Sequence, residues 1–320
     1  MAFDFNSNSA VKTRFPWKKY LPWAILAVVI LAAAVFLVTL LTDNPDEPAE
    51  PELTPAPASP TPVPTATPIP FAEDSSVDVI RAAAFERSGL HRDGFPLLRW
   101  EDEKFYIAAD GRTYYNDSSV KTLTGIDVSE HQYDIDWAQV AEAGIDFAMI
   151  RMGYRGSTAG GLYEDEYFRQ NMEGALSNGI GVGVYFYSQA ISEEEALEEA
   201  EFLLDAIAGY DVDFPVVFDW EIVGGADART YTVRRDTLNA CAKLFCEKVE
   251  QAGYDPMVYF TQYLGYRKYE LRDLSNYGFW YAEYEPRPNF VYDFDMWQYT
   301  CWGSVPGVEG DVDLNLYFVP

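Results

Sequence analysis

Phe214-Pro-Val-Val-Phe-Asp-Trp-Glu221 is the stretch on which the fold turns. Val216, Val217 and Phe218 form an apolar run bounded by Pro215, the pattern of a buried strand. The run ends in two carboxylates, Asp219 and Glu221, separated by Trp220. Side chains alternate along a strand, so both acids point to the same side, with Cα atoms about 6.6 Å apart. Two acids at the end of a buried strand are costly unless they are solvated, paired or used. Such a pair suits glycosidic bond cleavage, in which one carboxyl protonates the leaving oxygen and the other meets positive charge on the sugar. An acidic, solvated loop at a strand end gives the same local pattern.

Outward from this stretch, short apolar runs alternate with amphipathic ones. The strands are expected at Gly125–Ser129, Phe147–Met152, Gly183–Tyr187, Phe214–Phe218, Met257–Phe260, Gly278–Ala282, Asp295–Tyr299 and Val312–Phe318. Helices are expected at Ile135–Ala143, capped by Asp134 or Asp136, at Tyr167–Asn178 before Gly179, at Ser192–Ile207 and at Arg229–Ala252 before Gly253. Ser192 with Glu195 has the form of a capping box. This alternation means an α/β fold with a mostly parallel sheet. About eight strands suggest an irregular (β/α) TIM-like barrel, with helices thinning after the fifth strand. Barrel enzymes work at the C-terminal strand ends, which brings forward Asp127, Asp219, Glu221 and Asp313. Tyr185, Tyr187, Gln189, Tyr259, Trp280, Trp297 and Gln298 are candidates to line a sugar-binding cleft beside them. Core packing accounts equally well for Trp280 or Trp297.

Upstream, Leu21–Leu41 is 21 residues without a charge, enough to span about 31 Å as a helix. Lys12, Arg14, Lys18 and Lys19 precede it, and Asp43, Asp46, Glu47 and Glu50 follow. The positive-inside rule predicts residues 1–20 in the cytoplasm, a single transmembrane anchor at 21–41 and the remainder outside the cell membrane. Residues 42–70 are dense in proline and read as an extended stalk. Residues 71–122 are a lead-in with a short helix at Val77–Arg87. A hairpin follows, in which Asp110-Gly111 between Phe105-Tyr-Ile and Thr113-Tyr-Tyr predicts a type I′ turn. Residues 123–320 are the expected barrel.

A formal net charge of −28 excludes nucleic acid as a partner, which needs a basic surface. Three cysteines, Cys241, Cys246 and Cys301, make no disulfide framework. The two histidines, His91 and His131, lack ligand spacing, so no metal or other cofactor is expected, and Ser-His-Asp or Cys-His catalysis is disfavoured. His131 is read as a surface histidine, with a place in a cleft as the alternative.

Gly125-Ile-Asp-Val-Ser-Glu-His-Gln132, Asp219-Trp-Glu221, Trp297-Gln-Tyr-Thr300 and Gly310-Asp-Val-Asp-Leu-Asn315 occur in the order seen in glycoside hydrolase family 25, the Chalaropsis-type lysozymes, which the chain resembles over about Leu123–Phe318. The resemblance implies an irregular barrel that cleaves the β-1,4 bond after N-acetylmuramic acid in peptidoglycan glycan strands. It implies Glu221 as catalytic acid, Asp219 in the assisting role, and Asp127 and Asp313 lining the same cleft. Tyr185-Phe-Tyr187 departs from the family's usual Tyr-His-Phe-like run. A chitinase-like barrel also ends a strand in Asp-x-Glu, but its further acid two positions earlier is here Val217. A membrane-tethered glycan-binding module without turnover is the alternative of another class.

Overall fold

The computed structural model describes residues 95–224 and 228–319. These belong to one compact unit, Phe71–Pro320. The expected anchor at 21–41, the stalk at 42–70 and the helix at Val77–Arg87 lie outside the described residues. Among the described residues, no helix is long and apolar enough to cross a membrane.

Eleven strands are present among the described residues: β1 (Phe105–Ile107), β2 (Thr113–Tyr115), β3 (Thr122–Val128), β4 (Phe147–Arg155), β5 (Leu162–Glu164), β6 (Gly181–Ser188), β7 (Val216–Trp220), β8 (Pro256–Thr261), β9 (Gly278–Ala282), β10 (Met296–Gly303) and β11 (Val312–Phe318). The helices are α1 (Trp137–Glu142), α2 (Phe168–Ser177), α3 (Glu193–Ile207), α4 (Arg235–Gln251) and α5 (Gln262–Arg267). The sheet runs β3-β11-β10-β9-β8-β7-β6-β4-β5, and β3 also pairs with β4, which closes an eight-stranded barrel with β5 appended. Every pairing within the ring is parallel except those of β11, which is antiparallel to both β10 and β3. The cause is the connection. A parallel return needs a dozen or more residues, usually a helix, whereas the helix-free segment 304–311 only lets the chain turn back on itself.

The strands sort their side chains into two cores. Phe147, Met149, Tyr185, Val217, Met257, Tyr259, Trp280, Ala282 and Met296 pack inside the barrel. The alternate positions, such as Ile150, Phe186, Phe218, Trp220 and Trp297, pack outside, mostly under the helices. At the floor, Phe147 stacks on Phe214 at 4.8 Å and meets Tyr317 edge-on at 6.0 Å. Gly125 leaves room for this plug, because a Cβ there would sit 2.3 Å from the Phe147 ring.

Several local expectations are corrected. Asp136, not Asp134, caps α1, accepting from Gln139 N at 3.2 Å. Ser192 caps α3 by accepting from Glu195 N. The Glu195 carboxylate, however, accepts from Ile191 N at 2.9 Å and pairs with Arg229, so the box is not closed. The long helix begins at Arg235 rather than Arg229. The β-branched Thr230-Tyr-Thr-Val233 run resists helix, and a 3₁₀ turn over Arg229–Thr232 carries Arg229 to Glu195. The hairpin forms, with Phe105 opposite Tyr115, but not with a two-residue I′ turn. Ala108 and Arg112 are still bonded, and Gly111 alone takes positive φ (82°), which gives a three-residue loop with a bulge. The hairpin packs on the outer barrel wall through Phe105, whose ring meets Trp297 edge-on at 5.4 Å.

Candidate active site

A cavity of about 430 Å³ opens at the rim formed by the C-terminal ends of the parallel strands. Alternation delivers its acids. Asp127 follows Gly125 on the inner side of β3, Asp219 follows Val217 on β7, and Glu221 stands one residue past the end of β7. Asp313 stands near the start of β11. It reaches the same rim only because β11 runs antiparallel, where its register partner is Asp127. All four acids line the cavity, together with Tyr185, Tyr187, Tyr259, Trp280 and Gln298.

Two expected residues are elsewhere. Trp297 is fully buried outside the barrel, donating from Nε1 to Glu283 O at 3.0 Å. Since Met296 and Gln298 point inward, the residue between them must point out. Gln189 lies beyond the end of β6 and is wholly buried as a brace. Its Nε2 donates to Ser188 O at 2.9 Å and to Glu221 O at 2.8 Å, and its Oε1 accepts from Thr230 Oγ1 at 3.3 Å. It holds the backbone of the key acid without facing the cavity.

The cavity also holds residues not anticipated. Arg151, on the inner side of β4, is the cation among the lining residues. Its Nε donates to Asp165 at 2.7 Å and it pairs with Glu130 at 3.1 Å. A charge at the inner parity of an apolar strand, two positions after Met149, was the available signal. Asn315 is a buried clamp: Nδ2 donates to Asp127 Oδ2 at 2.8 Å, and Oδ1 accepts from Trp280 Nε1 at 2.8 Å. Gln298 Nε2 donates to the same Asp127 oxygen at 2.9 Å, while its Oε1 accepts from Tyr259 and Tyr284. His131 is exposed on the chain but lines the mouth with Ser129 and Gln132.

The electrostatics follow from burial. Asp127 and Asp219 are only 6% and 5% exposed. Burial, together with the Glu221 charge, raises Asp127 to about 6 against the pull of Asn315 and Gln298. Burial, then repulsion from Glu221 and Asp127, pushes Asp219 well above the ordinary carboxylate range, with Arg151 opposing. Burial raises Glu221 as well, with repulsion from Asp313 second. Burial and repulsion from Asp127 take Asp313 to about 8. All four acids therefore hold protons more tightly than free carboxyls do, the direction a general acid needs. Asp219 Oδ1 is buried without a hydrogen-bond partner in the protein. Such an oxygen is costly unless a ligand satisfies it. Among the described residues, no group of three or more His, Cys, Asp or Glu side chains is arranged to hold a metal ion.

Known proteins share this architecture. The autolytic lysozyme of Clostridium acetobutylicum is 27% identical over 195 residues, 60% of this chain and 55% of that protein, so this chain spans little more than half its length. Lysozyme M1 of Streptomyces globisporus is 26% identical over 205 residues, 61% of this chain and 67% of that protein. The modular autolysin LytC of Streptococcus pneumoniae, solved with a synthetic peptidoglycan ligand, shares the fold. Its TM-score is 0.54 at 24% identity, over 71% of this chain and 51% of that one. The sequence profile of Glycosyl hydrolases family 25 matches residues 126–308, more than half of the chain, and it is to this family that the chain belongs.

Proposed function

We propose that this glycosyl hydrolase is a muramidase, cleaving the β-1,4 bond between N-acetylmuramic acid and N-acetylglucosamine in peptidoglycan. We further propose that residues 21–41 tether it to the cell membrane, with the barrel on the cell-wall side. The observation that carries the reading is the set of four carboxylates around one cavity, with Asp219 on β7 and Glu221 just past its end. The relatives named as lysozymes and the autolysin solved with a peptidoglycan ligand support the substrate class. Attachment to the membrane rests on the uncharged run and its flanking charges.

In this reading Glu221 gives its proton to the glycosidic oxygen as the bond to the anomeric carbon breaks. Burial, with repulsion from Asp313 second, makes it hold that proton more tightly than a free carboxyl does. Asp219 faces the positive charge that develops on the sugar, or takes the N–H of the substrate's own acetamido group so that its carbonyl attacks the anomeric carbon. Both roles use the oxygen without a protein partner. A cationic transition state favours the ionised form of Asp219 over the protonated one. Asn315 and Gln298 keep Asp127 oriented, and Arg151 balances part of the negative charge. The test is release of reducing ends from purified peptidoglycan, with mass spectrometry of the new ends. N-acetylmuramic acid there supports the reading. N-acetylglucosamine there means a glucosaminidase or chitinase-like enzyme, and no turnover with retained binding means a glycan-binding module.

A further inference from the structure

A second hollow, of about 470 Å³, lies beside the catalytic cavity. Tyr284 is a wall of both. On one side its hydroxyl donates to Gln298 Oε1 at 3.0 Å, and on the other its ring meets Trp302 edge-on at 5.7 Å. Trp302 is 68% exposed on the outer end of β10, with its backbone N–H pinned to Thr300 Oγ1 at 3.1 Å. The opposite wall is the β1–β2 hairpin, with Ile107 (59% exposed), Asp110 and Thr113. The hairpin precedes the span matched by the family profile.

A solvated tryptophan and an exposed isoleucine held apart across a hollow make poor use of apolar area unless something covers them. The hollow continues the cavity through Tyr284, and its chemistry is that of a pyranose: an aromatic face for the ring's C–H side, with the exposed Asp110 carboxylate for hydroxyls. We propose that the hairpin and the β10 rim form an accessory subsite for a further sugar of the same glycan strand, held beyond Tyr284 from the bond being cut. The proposal rests on the glycan-cleaving reading of the cavity. A subsite of this kind makes long strands better substrates than short ones, because remote contacts raise occupancy of the productive register.

The test uses the full-length Glu221→Gln chain and peptide-free glycan oligomers, from disaccharide to octasaccharide, in a binding titration. Trp302→Ala, and separately Ile107→Ser, are placed in that background. Both residues are exposed and outside the cavity. Each variant should weaken the longest oligomers about three- to tenfold, the scale of one aromatic contact, and leave the shortest unchanged. With Glu221 restored, the same variants should lower kcat/KM on long strands by a similar factor and not on short ones. Unchanged affinity for long oligomers, or an equal loss at every length, overturns the accessory subsite while leaving the muramidase reading standing. An effect seen only on oligomers that carry peptide stems overturns it in favour of a peptide contact. Failure of every oligomer to bind, with no turnover by the unsubstituted chain, overturns both readings.

Discussion

Asp127 on β3 and Asp313 on β11 are register partners across an antiparallel ladder, two carboxylates facing the same cavity from the two strands that close the barrel. Side chains directly opposite in such a ladder lie about 4.5–5.5 Å apart at Cβ, and like charges there repel. Burial and the Asp127 charge raise Asp313 to about 8, while burial and the Glu221 charge raise Asp127 to about 6.

This pairing makes stability depend on pH in a definite direction. Between the unfolded carboxylate value of about 4 and the folded values, the native state binds more protons than the unfolded state, so stability falls as pH rises. The contribution is complete below about pH 4. It is lost through about 6 for Asp127 and about 8 for Asp313. Asp313→Asn, neutral at every pH, should flatten the loss between about pH 6 and 8 in thermal unfolding. A profile as steep as that of the unsubstituted chain would refute the assignment.

Glu221→Gln keeps shape and hydrogen-bonding capacity but has no proton to give. Its turnover of peptidoglycan should fall by about 10²–10⁴ with affinity much less affected. Asp219→Asn should be comparably severe, and Asp127→Asn and Asp313→Asn intermediate, in the reducing-end assay. Near-normal turnover by Glu221→Gln would rule out Glu221 as the acid.

Asn315, itself fully buried, ties Trp280 to Asp127. Asn315→Leu strands a buried indole N–H and removes a donor from Asp127, which should cost about 1–3 kcal/mol in urea unfolding. Adding Trp280→Phe should recover part of that loss, since the stranded N–H is gone. Strict additivity in the cycle would show that the two residues are not coupled.

Gln189 acts on Glu221 through its backbone carbonyl. Gln189→Leu leaves that carbonyl and the Thr230 hydroxyl without their partner. It should reduce kcat more than KM and shift the alkaline limb of the pH–rate profile, which reports the Glu221 environment. A drop in thermal stability with an unchanged kcat and profile would mean that Gln189 is only a packing residue.

Attachment to the membrane is open to a direct assay. Protease added to intact cells should remove the barrel after Ala72 and spare the N-terminus. A barrel protected from protease, or a mature chain beginning near Asp43, would contradict the proposed topology.

Much of the barrel was legible because its signals are local. The period-two pattern of Val217, Asp219 and Glu221 already assigns both acids to one side of one strand. The same rule, applied strictly, separates Trp297 from Gln298, since adjacent strand residues cannot both face the cavity. Arg151 carried a signal that went unread, a charge at inner parity in Phe147-Ala-Met-Ile-Arg. Gln189 carried none: it stands one residue past the end of β6, as Glu221 does past β7, but its amide turns to brace the Glu221 carbonyl, a contact between segments far apart in sequence.

By itself, the sequence determined the βα alternation, the inward parity of Asp127, Asp219 and Glu221, and the motifs that align the chain with its family. These depend on residues close enough along the chain to share one strand or one helix turn. Only the tertiary structure decided that Asp313 and Asn315 join Asp127. That meeting requires β11 to run antiparallel and close the ring against β3, and no local pattern encodes the direction of a strand relative to a partner far away in sequence. The proton affinities of the four acids are tertiary in the same sense, because they arise from burial and from charges that only the closed barrel brings together.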